Sequence, residues 1–448
     1  MPRPLRIGAV LAVVLAALSL FLPYLLVYDP WGWLVWGREL AHLDLATADG
    51  MSWKPLPVLI DAPLSLLGDS AAPKAWLLVA RSGWLLAPLL AAWLAASLAG
   101  EGTRRWRLVA AVLAAASVAL TGDAFTPPAR QFSGGLSEPL LVALVLGAVV
   151  AALQRRPALA LWLGVGASLL RPECWPFLAL WAVLAVRAEP RLRLQALAAA
   201  ALIPIAWFVP DLLGAGDPLA GSENARGGPI EAGEAFEVLG RALAAPLVAA
   251  WIGIVLFLAR RNPADGRDRA LTVLLAGAAA WVLVVAAMAM VGYAGLPRFL
   301  APATAAVAIV GAVGVARAGA HSFAGGPPRP LLAATTVAAL LVASAGIGLR
   351  AAEVPGDLRE VDRQAMLIDG LFDLSDQVGA ERLTSCGGEV RLANLLTPPT
   401  ALAWRLDRPL ASVRIVPHPR YGVALSTRPL PGKLLMRVGR WRATQLPC

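Results

Sequence analysis

The chain alternates long apolar runs with short polar clusters. A membrane-crossing helix needs about 20 mostly apolar residues. On that criterion spans are expected near 7–27, 75–99, 107–121, 137–153, 158–170, 173–187, 194–210, 243–259, 270–291, 298–316 and 330–349, eleven in all. The fifth and sixth are too short to cross fully and read as two short helices that enter together and turn at Arg171-Pro172. The first run follows Arg3 and Arg6, exceeds the length of a signal-peptide core and lacks a small-x-small cleavage site, so it reads as an uncleaved span. Beyond residue 349 the pattern changes. Residues 350–448 are charged and turn-rich, with an alternating stretch at 412–416 and a helical one at 358–378. The expected fold class is an all-α polytopic membrane protein with a small extracytoplasmic C-terminal α/β domain, divided as 1–349 and 350–448.

Composition sharpens this. Apolar residues make up 58% of the 448 positions and charged ones 15%, against roughly 45–50% and about 25% in soluble domains. A disordered chain is excluded, and a soluble enzyme is disfavoured. The formal charge of +10 would suit nucleic acid, but the charges sit in short clusters between apolar runs. Arg104, Arg105 and Arg107, then Arg155 and Arg156, then Arg187, Arg191 and Arg193, then Arg260, Arg261, Arg267 and Arg269, then Arg317 and Arg329 all fall on the side of Arg3 and Arg6. Arginine-rich short loops mark the cytoplasmic face, so the partner is the lipid bilayer and no nucleic acid is expected. The N-terminus is then cytoplasmic, and 28–74, 211–242 and the tail lie outside a plasma membrane. Cys174, Cys386 and Cys448 make no ligand set, although Cys386 and Cys448 fall together in the tail and either pair or stay free. No internal repeat is visible, and 325–330 reads as a Gly/Pro linker.

Ionisable groups at membrane depth are costly and often functional. Asp29, Lys54, Asp61, Arg130, Glu138, Arg171, Glu173 and Arg298 are of this kind. Asp29, in Tyr28-Asp29-Pro30-Trp31, suits a helix cap beneath a tryptophan interfacial belt, and equally a base that takes a proton from a hydroxyl. Only three of the 39 basic residues are lysines. Lys54, between Trp53 and Pro55, therefore suggests a compact ammonium for a phosphate. Arg298, in Pro297-Arg298-Phe299, suggests a guanidinium for the same group, or plain snorkelling. Arg171 and Glu173 read first as a buried pair closing the short hairpin, and Glu138 as the start of a span.

In this order, these residues resemble the GT-C superfamily of membrane glycosyltransferases, among them protein O-mannosyltransferases, lipid A aminoarabinose transferases and actinobacterial mannosyl- and arabinosyltransferases. The resemblance covers residues 1 to about 316. It rests on Asp29 after the first span, Trp36-Gly37-Arg38-Glu39-Leu40, Trp53-Lys54-Pro55-Leu56-Pro57, Leu136-Ser137-Glu138-Pro139 and Pro297-Arg298-Phe299. It implies an inverting sugar transfer from a polyprenyl-phosphate donor to a hydroxyl of a cell-envelope glycan, lipid or protein at the outer membrane face. Asp29 would be the base, Lys54 and Arg298 the phosphate ligands, with Glu138, Arg171, Glu173 and Arg130 in support. The usual acidic pair is here a single Asp29, and the second acidic motif is missing although Asp123 lies in the second outer loop. No cofactor is implied with certainty, and a divalent cation stays open. The rival functions are a secondary transporter or a flippase of envelope precursors. A non-catalytic anchoring subunit is a third.

Overall fold

The computed structural model describes residues 3–100, 103–122, 126–226, 232–323, 329–394 and 397–448. Asp123 and most of the 325–330 linker lie outside the described residues. Helix α1 (Arg3–Leu18) is apolar from Ile7 onward. It gives way to a short 3-10 turn, and Pro23 carries the chain on as an extended segment. The amides of Leu25 and Val27 donate to the carbonyls of Ser133 and Gly134, both at 3.1 Å. Residues 28 onward are thereby laid beside the start of a later helix.

Next come α2 (Tyr28–Ala41), α3 (Pro55–Ser65), α4 (Ala71–Leu98), α5 (Arg104–Ala119), α6 (Pro128–Gly134) and α7 (Glu138–Leu153). α8 (Pro157–Ser168) and α9 (Trp175–Ala188) flank a turn at Arg171-Pro172-Glu173. α10 (Arg193–Ala215), α11 (Ala220–Ala225), α12 (Ala232–Ala244), α13 (Val248–Leu258), α14 (Gly266–Ala289) and α15 (Ala301–Ser322) complete the bundle. Among the described residues six helices are long and apolar enough to cross a membrane, or eight if the bent pairs α6–α7 and α12–α13 each count once. This falls short of the eleven spans expected. α5 has only 16 residues, and α8 and α9 are as short as the sequence suggested.

α15 is the axis of the bundle. Its alanines and glycines let neighbours approach closely, which is how helices pack where lipid offers no hydrophobic drive. A Cβ on Gly253 of α13 would stand 2.0 Å from the Gly311 carbonyl oxygen, so this crossing exists only because both positions are glycine.

One helix, α16 (Pro330–Val378), runs for 49 residues from the bundle into the tail. There α17 (Ala380–Leu383), α18 (Pro399–Arg405) and a five-stranded sheet follow. β1 (Val390–Leu392) is parallel to β2 (Val413–Ile415) and β3 (Val423–Ser426). β4 (Lys433–Val438) and β5 (Trp441–Gln445) continue it antiparallel, in the order β2-β1-β3-β5-β4. The tail docks on α2. Thr400 donates its hydroxyl to the Tyr28 carbonyl at 2.9 Å, and Arg38 donates to the Trp404 carbonyl at 3.0 Å. Trp31, Trp33 and Trp36 are consequently buried in one core with Trp53, Trp76, Trp404 and Trp441. They form no interfacial belt, because protein rather than lipid covers them.

Candidate active site

Asp29 sits in the first turn of α2, where a carboxylate complements the helix dipole. It is not the cap: that position is Val27, and no side chain caps the helix. Lys54 is the residue before α3, held extended ahead of Pro55. Glu138 is the first residue of α7, after Ser137. Arg171 and Glu173 lie in the hairpin between α8 and α9, and the Leu56 amide bonds to the Leu169 carbonyl at 3.0 Å, pinning that hairpin beside Lys54. Arg298 lies in the 3-10 turn Pro297–Leu300 that leads into α15.

These six side chains meet. Glu138 Oε1 is the hub, 3.9 Å from Lys54 Nζ, 3.4 Å from Arg171 Nη2 and 3.6 Å from Arg298 Nε. Arg298 Nη2 is also 3.6 Å from Asp29 Oδ2, and Arg171 Nη1 is 3.1 Å from Glu173 Oε1. Lys54 donates to Ser137 Oγ at 3.4 Å and lies 4.8 Å from the Trp33 ring centroid. Lys54, Glu138, Arg171 and Glu173 are buried, whereas Asp29 and Arg298 are partly open. Burial lowers the Lys54 pKa, opposed chiefly by the charge of Glu138. Nε of Arg298 and of Arg171 has no hydrogen-bond partner among the described residues.

All of the cluster but Glu138 lines a cavity of about 610 Å³ bounded by Tyr28, Trp53, Trp207, Asp211 and Tyr293 among others. A second, almost wholly apolar groove of about 300 Å³ runs between α7, α8, α9, α14 and α15, past Phe177, Trp181 and Trp281. The two come close where the Trp281 indole donates to the Phe299 carbonyl at 2.8 Å, since Phe299 also lines the polar cavity.

No family model matches the chain, and no curated protein is significantly similar to it in sequence. Two solved structures of ArnT from Cupriavidus metallidurans are similar to it. The one described as bound to undecaprenyl phosphate is 14% identical with a TM-score of 0.54, over 99% of this chain and 98% of that one. The apo structure is 15% identical with a TM-score of 0.55, over 98% and 97%.

The chain has the ArnT fold. ArnT is a lipid A aminoarabinose transferase of the GT-C class, so the resemblance read from residues 1 to 316 is met by an architecture that extends through the tail.

Within this ArnT-like core two of the singled-out residues stand apart. Arg130, on α6, does not line the cavity. Asp61, on α3, is wholly buried against α2, where a Cβ on Gly37 would come within 2.7 Å of its own Cβ. Burial raises its carboxyl well above the ordinary range, which favours a neutral packing group. A divalent cation does not fit the cluster: Asp29, Glu138 and Glu173 each face a cation already. No group of three His, Cys, Asp or Glu residues among those described is placed to hold a metal.

Sequence reasoning missed Asp211, Tyr293, Ser222 and Arg226. The Ser222 and Tyr293 hydroxyls are hydrogen-bonded, and Arg226 Nη2 is 3.4 Å from the Tyr293 oxygen. Asp211 did carry a signal, an acid near the end of the apolar run 194–210.

Proposed function

We propose that the chain is a membrane glycosyltransferase that moves a sugar from a polyprenyl-phosphate donor to an acceptor hydroxyl at the extracytoplasmic face, with inversion. The observation that carries this reading is the meeting of Asp29, Lys54 and Arg298 in one cavity, with the Nε groups of Arg298 and Arg171 making no hydrogen bond among the described residues. A leaving lipid phosphate needs positive charge placed in advance, because such charge needs little reorganisation during the reaction. Lys54 and Arg298 supply it. Asp29, across Arg298, accepts the proton of the attacking hydroxyl. The acceptor oxygen bonds to the anomeric carbon as the bond from that carbon to the phosphate oxygen breaks, and the electron pair leaves with the phosphate. The apolar groove beside Phe299 takes the start of the polyprenyl chain. The described undecaprenyl phosphate complex of ArnT supports the choice of a lipid phosphate.

The Cys386–Cys448 disulfide supports a tail on the oxidising side of a plasma membrane. The polar cluster includes the start of α2, the helix on which the tail docks, whereas a secondary transporter gathers such groups near mid-membrane. The test is transfer in proteoliposomes with a panel of undecaprenyl-phosphate pentoses and hexoses, following release of undecaprenyl phosphate by mass spectrometry. Asp29→Asn is expected to abolish release while expression is unchanged. Turnover near that of the native protein would remove Asp29 as the base, and solute uptake without release would favour a transporter.

A further inference from the structure

The cavity has a second wall, made of one carboxylate and several aromatic rings. Asp211, on α10, is buried, and its Oδ2 accepts the Gly221 amide at 2.8 Å. Its Oδ1 has no hydrogen-bond partner among the described residues. Thr47 is its other polar neighbour, and the Thr47 hydroxyl makes no hydrogen bond among the described residues. A Cβ on Gly221 would stand 2.6 Å from Oδ2 and 2.9 Å from Trp53 Cβ. Asp211 is therefore separated from Trp53 by the thickness of one glycine, and Lys54 lines the same cavity.

The rings beside it are fixed. Trp175 and Trp207 both donate their indole N–H to the Ser168 carbonyl, at 3.2 and 2.9 Å, with ring centroids 5.8 Å apart. Trp53 donates to the Ala206 carbonyl at 2.9 Å. With their polar edges satisfied, Trp53, Trp175, Trp207 and the adjoining Phe208 offer the cavity mainly carbon surface. A buried acceptor oxygen beside rigid aromatic carbon matches a ligand with hydroxyls on its rim and C–H groups on its face. A sugar ring is such a ligand. A phosphate is not, since Asp211 would repel it.

The geometry points to a donor-sugar subsite: Asp211 Oδ1 accepts a sugar hydroxyl while the Trp175, Trp207 and Phe208 rings cover the ring's carbon face. The subsite rests on the transferase reading, in which the phosphate occupies the neighbouring cationic wall. It makes Asp211 a specificity residue that discriminates glycosylated from bare lipid phosphate.

The test compares the native protein with Asp211→Asn in nanodiscs. Affinity is measured for undecaprenyl phosphate and for a panel of undecaprenyl-phosphate pentoses and hexoses. The native protein is expected to bind at least one glycosylated lipid more tightly than the bare lipid. Asp211→Asn is expected to bind the bare lipid as before and to lose roughly tenfold or more of that preference, the size of one charged hydrogen bond. Unchanged bare-lipid affinity also shows that the variant is folded. The subsite is overturned if the variant keeps the preference, if the native protein has none, or if the variant loses bare-lipid binding as well, which would make Asp211 part of the framework. Failure of the native protein to bind the bare lipid overturns the transferase reading itself, and the subsite with it.

Discussion

Replacing Glu138 with glutamine tests whether one buried carboxylate holds the cations proposed to bind phosphate in readiness. Arg171 keeps Glu173 in this variant, and Arg298 keeps Asp29. Lys54 keeps only the Ser137 hydroxyl, at 3.4 Å, and the face of the Trp33 ring, at 4.8 Å from its centroid. The Lys54–Glu138 contact of 3.9 Å corresponds to about 4 kcal/mol of attraction at an effective dielectric of about 20. Burial already works against the Lys54 charge. Loss of Glu138 lets Lys54 give up its proton as the pH rises, so phosphate binding must then bring a proton back. Undecaprenyl phosphate binding is measured between pH 7 and 8.5, where a phosphate monoester, with a second pKa of about 6, is mostly dianionic. Glu138→Gln is expected to lose affinity with rising pH, by up to about tenfold per unit for one coupled proton. The native protein should stay nearly flat over that range. A flat profile in the variant, with affinity equal to the native value, would refute Glu138 as the counterion that keeps Lys54 charged.

Two further outcomes concern stability. Glu39, on α2, is buried with one oxygen taking the Ala46 amide at 3.1 Å and the other without a hydrogen-bond partner among the described residues, and burial raises its pKa from 4.5 to about 7. The protonated form fits the fold, so this contribution, about 3 kcal/mol, is complete below about pH 4.5 and lost as the pH rises through about 7. Glu39→Gln keeps an acceptor for Ala46 and should raise the melting temperature at pH 8 but not near pH 4; an equal gain at both would exclude titration of Glu39. The Cys386–Cys448 bond spans a separation of 62 residues, for which chain entropy gives about 4 kcal/mol. Cys448→Ser should therefore make the tail cleavable by protease at concentrations the native tail resists, and equal resistance would show that the bond does not stabilise it.

The charged cluster was legible in the sequence because its members are expensive where they sit. Six of the eight ionisable groups singled out meet in space: Asp29, Lys54, Glu138, Arg171, Glu173 and Arg298. Each interrupts or borders an apolar run, and Pro30, Pro55, Pro139, Pro172 and Pro297 mark the helix starts that present them. Asp61 and Arg130 carry the same local signal. Whether such a group faces a cavity or a neighbouring helix depends on a long-range crossing, for Asp61 the close approach of Gly37. The tryptophans of α2 misled for a related reason, since burial by α18 and the sheet is contributed from more than 350 residues away. Of the eleven spans expected, those at α5, α8 and α9 are not met by helices long enough to cross, because turns and prolines cut them to 16, 12 and 14 residues. The wall around Asp211 was scarcely legible: Gly221, Trp207 and Asp211 mean little until α11 folds onto α10.

The distances in the cluster divide its cations by task. Arg171 is anchored by a 3.1 Å hydrogen bond to Glu173 and lies 3.4 Å from the centroid of the Phe299 ring. Arg298 touches Asp29 and Glu138 only at 3.6 Å, beyond good hydrogen-bonding distance. Lys54 reaches Glu138 only at 3.9 Å. Charge alone thus holds Arg298, and charge with one long hydrogen bond to Ser137 holds Lys54, so both keep donors to spend on a ligand. A phosphate oxygen at about 2.8 Å outcompetes contacts of that length, while Arg171 is held by the Glu173 bond and has only its Nε without a hydrogen-bond partner among the described residues. Three acids balance three cations, which lets like charges share a buried site before any ligand arrives. Within the transferase reading, Arg171 and Glu173 then belong to the scaffold of the hairpin, and the phosphate is gripped by Lys54 and Arg298.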